Sequence, residues 1–271
     1  MDNNSTRTVV SKLVKSCATL MTGVSMLTSA ATALAATDDA PSVTPYRPSV
    51  STPAALSAPG WLEAEVGGQN TKGGDSSRQV SMPYTLKLAF TPDWGVRIGG
   101  NAFVRNTDSD GNRTTGFGDT ALVLKRRFAI NEGSAFGIEA GANMPTAKTG
   151  LSSGKTDYSL NGIYSADLGE FHTDLNLTVT RKGVADVDVG RYQKGWAASL
   201  SHGIGDDWGV VGEFSGVRQT GLANTAQFLL AGNYNASKSL VLDAGVSYGL
   251  SKASPDWSVF AGMTILLGKL F

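Results

Sequence analysis

The chain has 271 residues with 23 basic and 23 acidic side chains, so no charge excess points to nucleic acid or an acidic polymer as partner. Glycine is plentiful at 33, and no run of about 20 apolar residues follows residue 60, which excludes a helical membrane protein. If the chain enters a membrane, it does so as a barrel.

The first 35 residues stand apart. Arg7, Lys12 and Lys15 precede an apolar run from Ala18 to Ala35 that ends in the small-residue pattern Ala33-Leu34-Ala35, which predicts a secretory signal peptide over 1–35. The run is interrupted by Ser and Thr and is too short to span a bilayer comfortably, so export is favoured over an anchor. Cys17, the only cysteine, lies inside this segment without a lipoprotein pattern before it, so the exported chain carries no thiol or disulfide. Residues 36–59 contain Pro41, Pro45, Pro48, Pro53 and Pro59 among small polar residues. Such a composition buries too little apolar surface to offset ordering, and a disordered periplasmic lead-in is expected. A pore plug is the alternative, with Tyr46 as the one aromatic residue available to dock.

From Trp61 onward the chain reads as about twelve amphipathic stretches, near 61–68, 78–91, 94–107, 116–130, 134–147, 157–169, 170–184, 192–205, 208–221, 225–237, 240–252 and 256–268. In Phe171 to Thr180, for example, Phe171, Leu175, Leu177 and Val179 share one face while His172, Asp174, Asn176 and Thr178 share the other. One face suits lipid and the other water. Tight turns such as Thr91-Pro92-Asp93 and Gly205-Asp206-Asp207 alternate with longer polar segments, as expected where short turns face the periplasm and long loops the exterior. Residues 60–271 are therefore predicted to be an all-β, transmembrane, antiparallel up-and-down barrel of the bacterial outer membrane. The aromatic residues support this reading. Trp61, Phe90, Trp94, Phe128, Phe136, Phe171, Trp208 and Tyr234 fall at the short-turn ends, and Tyr158, Tyr192, Tyr248 and Trp257 at the others, as two interfacial girdles.

On this register the inward, lumen-lining candidates are Lys87, Arg97, Arg105, Asp119, Lys125, Arg127, Glu139, His172, Asp174, Glu213 and Asp243, together with Glu63 and Glu65. Mixed charges either tune permeation or form a salt-bridged ladder that fills a narrow barrel, and about twelve strands enclose only a modest bore, which favours the ladder. Asn106 to Asn112 alternates oxygen donors around Gly111 like a calcium loop, but with Gly111 in sixth place Phe117 falls where a carboxylate is needed, so no metal site is expected. His172 and His202 are the only imidazoles, and Ser201 and His202 are strand neighbours that point to opposite faces. No catalytic residues are expected, and no cofactor.

Thr115-Gly116-Phe117-Gly118-Asp119-Thr120, with Lys125 five residues on and a barrel ending in Phe271, resembles the Gly-x-Gly-Asp strand of the outer-membrane transporter family named for the phenol meta-degradation pathway. The resemblance spans most of residues 60–271. It implies a channel or transporter for small solutes, hydrophobic or aromatic ones included. The terminal Phe271, in phase with Ile265 and Met263, resembles the assembly signal of such barrels, and Lys269 departs from it. The expected partners are outer-membrane lipid, the barrel-assembly machinery and a small-molecule solute. A structural barrel with a plugged lumen and partner-binding outer loops is the alternative.

Overall fold

The computed structural model describes residues 40–271, and residues 41–271 form one compact unit. The export signal expected over 1–35 lies outside the described residues. The strands are β1 (Trp61–Lys72), β2 (Arg78–Ala89), β3 (Trp94–Thr107), β4 (Arg113–Gly116), β5 (Thr120–Asn131), β6 (Ser134–Met144), β7 (Asp157–Leu168), β8 (Phe171–Arg181), β9 (Tyr192–Ile204), β10 (Trp208–Gln219), β11 (Thr225–Ser237), β12 (Leu240–Gly249) and β13 (Trp257–Lys269). Each pairs antiparallel with its neighbour, and β1 pairs with β13 from Trp61 opposite Lys269 to Lys72 opposite Trp257, so the sheet closes on itself and leaves no edge. β4 and β5 lie end to end along β3 in one register, with Val104 opposite Gly116 and Gly100 opposite Thr120. They form a single stave, and the barrel has 12.

The predicted period of two is what separates the two faces. In β8 the side chains of Leu175, Leu177 and Val179 are exposed on the outer wall, whereas Asn176 is buried within. Exposed Leu122, Leu124, Ile138, Leu160, Leu200 and Leu230 continue the apolar outer belt. Aromatic pairs brace it near the short turns: Phe136 with Tyr164 at 5.1 Å, and Trp208 with Tyr234 at 4.8 Å between ring centroids.

One register irregularity matters for the lumen. On β2, Met82 faces Phe103 but the next residue, Pro83, faces Asn101, so Ala102 of β3 is an extra residue. Proline lacks the N–H that an unbroken ladder would use there, which suits it to a bulge. Beyond the bulge the parity of β3 is reversed: Val104 is buried and Arg105 is exposed, its guanidinium 5.4 Å from the ring centroid of Phe103. Arg105, expected in the lumen, is thus on the outer wall.

The Gly-x-Gly-Asp motif lies at the same height, in the break between β4 and β5. Gly118 N–H donates to Asn101 O at 2.9 Å, and a Cβ on Gly118 would come within 2.8 Å of Asn101 Cβ. Asp119 points to the long-loop end and ties down the segment between β6 and β7, accepting from Ala147 N–H at 3.0 Å, Ser152 Oγ at 3.0 Å and Asn143 Nδ2 at 3.3 Å. Its role is to pin a loop, through hydrogen bonds to neutral groups. Asp119→Ala is expected to leave the barrel folded and to speed tryptic cleavage at the exposed Lys148 and Lys155 several-fold; limited proteolysis in detergent checks this.

Candidate functional site

Residues 41–59 occupy the lumen. The expected lead-in outside the barrel is corrected for this stretch: Val43, Tyr46, Ser51, Ala54 and Ser57 are all buried. The segment starts at the short-turn end, where Val43 N–H donates to Lys238 O at 2.9 Å in the β11–β12 turn. It rises to an apex at Val50–Thr52 and descends to Gly60, whose N–H donates to Ala89 O at 2.8 Å just before β1 begins. It is a loop folded into the barrel. The composition argument failed because it asked how much apolar surface the segment could bury, whereas the barrel supplies polar partners instead.

Those partners are wall carboxylates and amides. Thr44 N–H donates to Glu63 Oε1 and Oε2 at 3.1 and 3.2 Å, and Tyr46 N–H to Glu65 Oε1 at 2.7 Å. Val50 and Ser51 N–H donate to the Glu213 carboxylate at 3.1 and 2.7 Å, and Ser51 Oγ adds a bond of 2.6 Å. Thr52 N–H donates to Asn176 Oδ1 while Asn176 Nδ2 donates back to Thr52 O, each at 3.0 Å, as one strand residue pairs with another. Ala54 N–H donates to Ser165 Oγ at 2.7 Å, above a small apolar contact of Ala54, Ala135 and Ile163. The traffic also runs the other way: Lys87 Nζ donates to Thr44 O and Lys125 Nζ to Pro53 O.

The charges form two neighbouring groups that balance each other and one pair of separate acids. Lys87 sits between Glu63 at 3.0 Å and Glu65 at 2.7 Å, all three buried. Glu139 Oε2 accepts from Arg97 at 2.9 Å and from Asn161 at 3.1 Å, and its Oε1 lies 3.5 Å from Lys125 Nζ. Tyr46 is wedged among these cations, its ring centroid 4.3 Å from Lys87 Nζ and 4.2 Å from Lys125 Nζ, its hydroxyl donating to Ala55 O at 2.7 Å. Two strands round the wall from β1, Asp243 of β12 holds Arg47 through two bonds, Nε to Oδ2 at 3.0 Å and Nη2 to Oδ1 at 2.9 Å.

Of the lumen residues expected from sequence, Lys87, Arg97, Lys125, Glu139, Glu213 and Asp243 thus converge on the inserted segment. Arg127 holds the inward parity nearer the short turns, opposite Gly137, and Asp174 binds Ser165 Oγ. His172 lies at the short-turn rim with Nδ1 2.6 Å from Asp167 and Nε2 3.3 Å from Asp174. With both ring nitrogens held by carboxylates, neither is left to activate a hydroxyl, and Ser201 Oγ donates to the His172 carbonyl rather than its ring. His202 is outside, its ring 4.9 Å from that of Phe171. Asn106–Asn112 is an outer turn in which Asp108 accepts from the N–H groups of Asp110 and Asn112, and bonds from Asn112 hold its carboxyl below the usual range. The sequence reading named Tyr46 only as the docking residue of the pore-plug alternative, and it missed Arg47 and Thr52 as lumen residues. The signal that could have found them is that Tyr46 and Arg47 are the only aromatic and the only charged residue in 41–59.

Above the apex, toward the long loops, a cavity of about 420 Å³ remains. Its lining mixes polar side chains, among them Ser159, Asn161, Thr178 and Gln193, with the apolar Val50, Val123, Val217 and Pro255, and the Arg97–Glu139 pair lies at its margin.

An apolar belt outside, a polar lumen inside and an ordered N-terminal insertion define an occluded β-barrel of the membrane-spanning kind. The chain belongs to the family described as "Putative MetA-pathway of phenol degradation", whose profile matches residues 60–267. No functionally curated protein matches it in sequence. Among solved structures, it is similar to an outer membrane channel from Pseudomonas putida F1, at 14% identity over 83% of this chain and 100% of that one with a TM-score of 0.64. It is also similar to the NanC porin (10%, 75% and 98%, TM-score 0.54) and the KdgM porin (11%, 75% and 98%, TM-score 0.52). At these identities the likeness is one of fold.

Removing Lys87 leaves Glu63 and Glu65 buried beside each other without their cation. Lys87→Met is expected to destabilise the barrel by about 3–5 kcal/mol in urea unfolding. A Ser51→Cys probe in a Cys17→Ser background, shielded from maleimide in the parent, should become reactive in the Lys87→Met chain.

Proposed function

We propose that this protein is a channel for small solutes in a bacterial outer membrane, delivered there by an export signal in residues 1–35 and closed at rest by residues 41–59. The observation that carries the reading is the nature of the closure. The segment is held by hydrogen bonds and one ion pair to the wall, whose polar groups water can solvate when it leaves, and it joins the barrel only through Gly60. A barrel filled permanently for stability would be expected to close with its own inward side chains. Membership in a family of barrels and likeness in fold to an outer membrane channel and two porins support the same reading.

The short turns and chain ends then face the periplasm, and the cavity opens toward the exterior. Its Ser, Thr, Asn and Gln side chains offer hydrogen-bond partners to a polar solute, and Val50, Val123, Val217 and Pro255 offer apolar contact to the hydrophobic or aromatic groups that the family resemblance implies. Val211, Leu229 and Ala231, packed by Phe260, form a further apolar cluster of the wall.

The occlusion also favours a second reading, a structural barrel whose outer loops bind a partner. Planar-bilayer conductance separates the two. The channel reading predicts small KCl currents from the whole protein and a several-fold rise on deletion of residues 41–58. A folded deletion variant that leaves the bilayer sealed supports the structural barrel instead.

A further inference from the structure

Asp243 and Glu213 differ from every other buried lumen carboxylate. Glu63 and Glu65 share Lys87, and Glu139 has Arg97 and Lys125, so that side of the wall is internally compensated. Among the described residues no wall cation pairs with Asp243 or Glu213; their partners are Arg47 and the N–H groups of Val50 and Ser51, all from the inserted segment. The wall around Asp243 is also shaped for the group it holds. Asp243 is paired in register with Gly262, and Gly262 with Gly67, so the three lie side by side across β12, β13 and β1. A Cβ on Gly262 would lie 2.6 Å from Arg47 Nε, and one on Gly67 would lie 2.8 Å from Arg47 Cζ. Two adjacent glycines therefore leave a bare patch of wall on which the planar guanidinium lies, with a carboxylate at its edge whose side chain is 2% exposed.

We propose that Asp243, Gly67 and Gly262 form a cation subsite of the permeation path, taking the guanidinium or primary ammonium group of a small solute, and that Arg47 is its resident occupant. The inference rests on the channel reading and adds the solute's charge to it. When the segment leaves, Asp243 and Glu213 lose their partners in the middle of the lumen, while Arg97 and Glu139 at the margin of the cavity above offset each other and Arg127 lies nearer the short turns. Cations are then favoured over anions. A cationic solute competes with Arg47 for this patch, so binding and opening are coupled through one site.

The test uses full-length protein in planar bilayers. Arg47→Ala is expected to conduct with a K⁺/Cl⁻ permeability ratio of about 5 in 0.1 M KCl, where screening still reaches only about 10 Å, and the ratio should fall toward 1 at 1 M. Millimolar methylguanidinium should block the K⁺ current. Adding Asp243→Asn should lower the ratio and abolish the block. Adding Gly262→Ala should abolish the block and leave the ratio in place, while Asp243→Glu should keep the selectivity. A ratio and block unchanged by Asp243→Asn overturn the subsite and leave the channel standing. If every folded variant seals the bilayer, the channel reading fails. Calorimetric binding of methylguanidinium to the Arg47→Ala protein, lost on Asp243→Asn, then still decides the subsite: binding supports it and no binding overturns it.

Discussion

An irregular stretch of backbone inside a barrel must find a partner for every N–H it takes out of water, and this requirement organises the lumen. The barrel wall cannot offer its own backbone, which is consumed in strand pairing, so the partners are side chains: Glu63, Glu65, Glu213, Asn176 and Ser165 in turn along the segment from Thr44 to Ala54. Five prolines in 41–59 lower the number of N–H groups that need satisfying. What composition presents as a mark of disorder is, within a polar cavity, a way of reducing the donors to be placed. Lys87 and Lys125 then serve twice, neutralising the carboxylates and capping carbonyls of the segment.

This arrangement is asymmetric in a way that bears on function. Breaking one buried ion pair by removing a partner is costly, but withdrawing the whole segment leaves Lys87 with its two glutamates and Arg97 and Lys125 with Glu139. Most of the electrostatic stabilisation is internal to the wall. The segment's own contribution is a set of hydrogen bonds, several of them to wall carboxylates, the wedge of Tyr46 and the Arg47–Asp243 pair. Each is modest when exchanged for water, which is the property expected of a closure that opens.

The barrel itself was legible because alternation of apolar and polar residues, the spacing of turns and the placement of aromatic residues all report one geometry: the observed strands follow the predicted stretches closely, and the tight turns fall where Gly, Asp and Asn cluster. Parity was legible only while the ladder ran unbroken. Arg105 was placed in the lumen by counting from Arg97, and the extra residue at Ala102 reverses that count; Pro83 on the neighbouring strand was the local sign of a bulge. The inward charges Lys87, Lys125, Glu139, Glu213 and Asp243 were identified by the same counting, but not what they hold. Their partners lie as far as 196 residues away in sequence, between Arg47 and Asp243, and no periodicity links a coil to a wall.

The central claim is that residues 41–59 close the lumen and that their displacement opens it. Ala54 N–H bonds to Ser165 Oγ at 2.7 Å, which places these two positions within reach of a cross-link between segment and wall. The most direct measurement is the bilayer conductance of an Ala54→Cys/Ser165→Cys protein in a Cys17→Ser background, before and after reduction. The account predicts a sealed bilayer when the pair is oxidised and current when it is reduced; equal current in both states would contradict it.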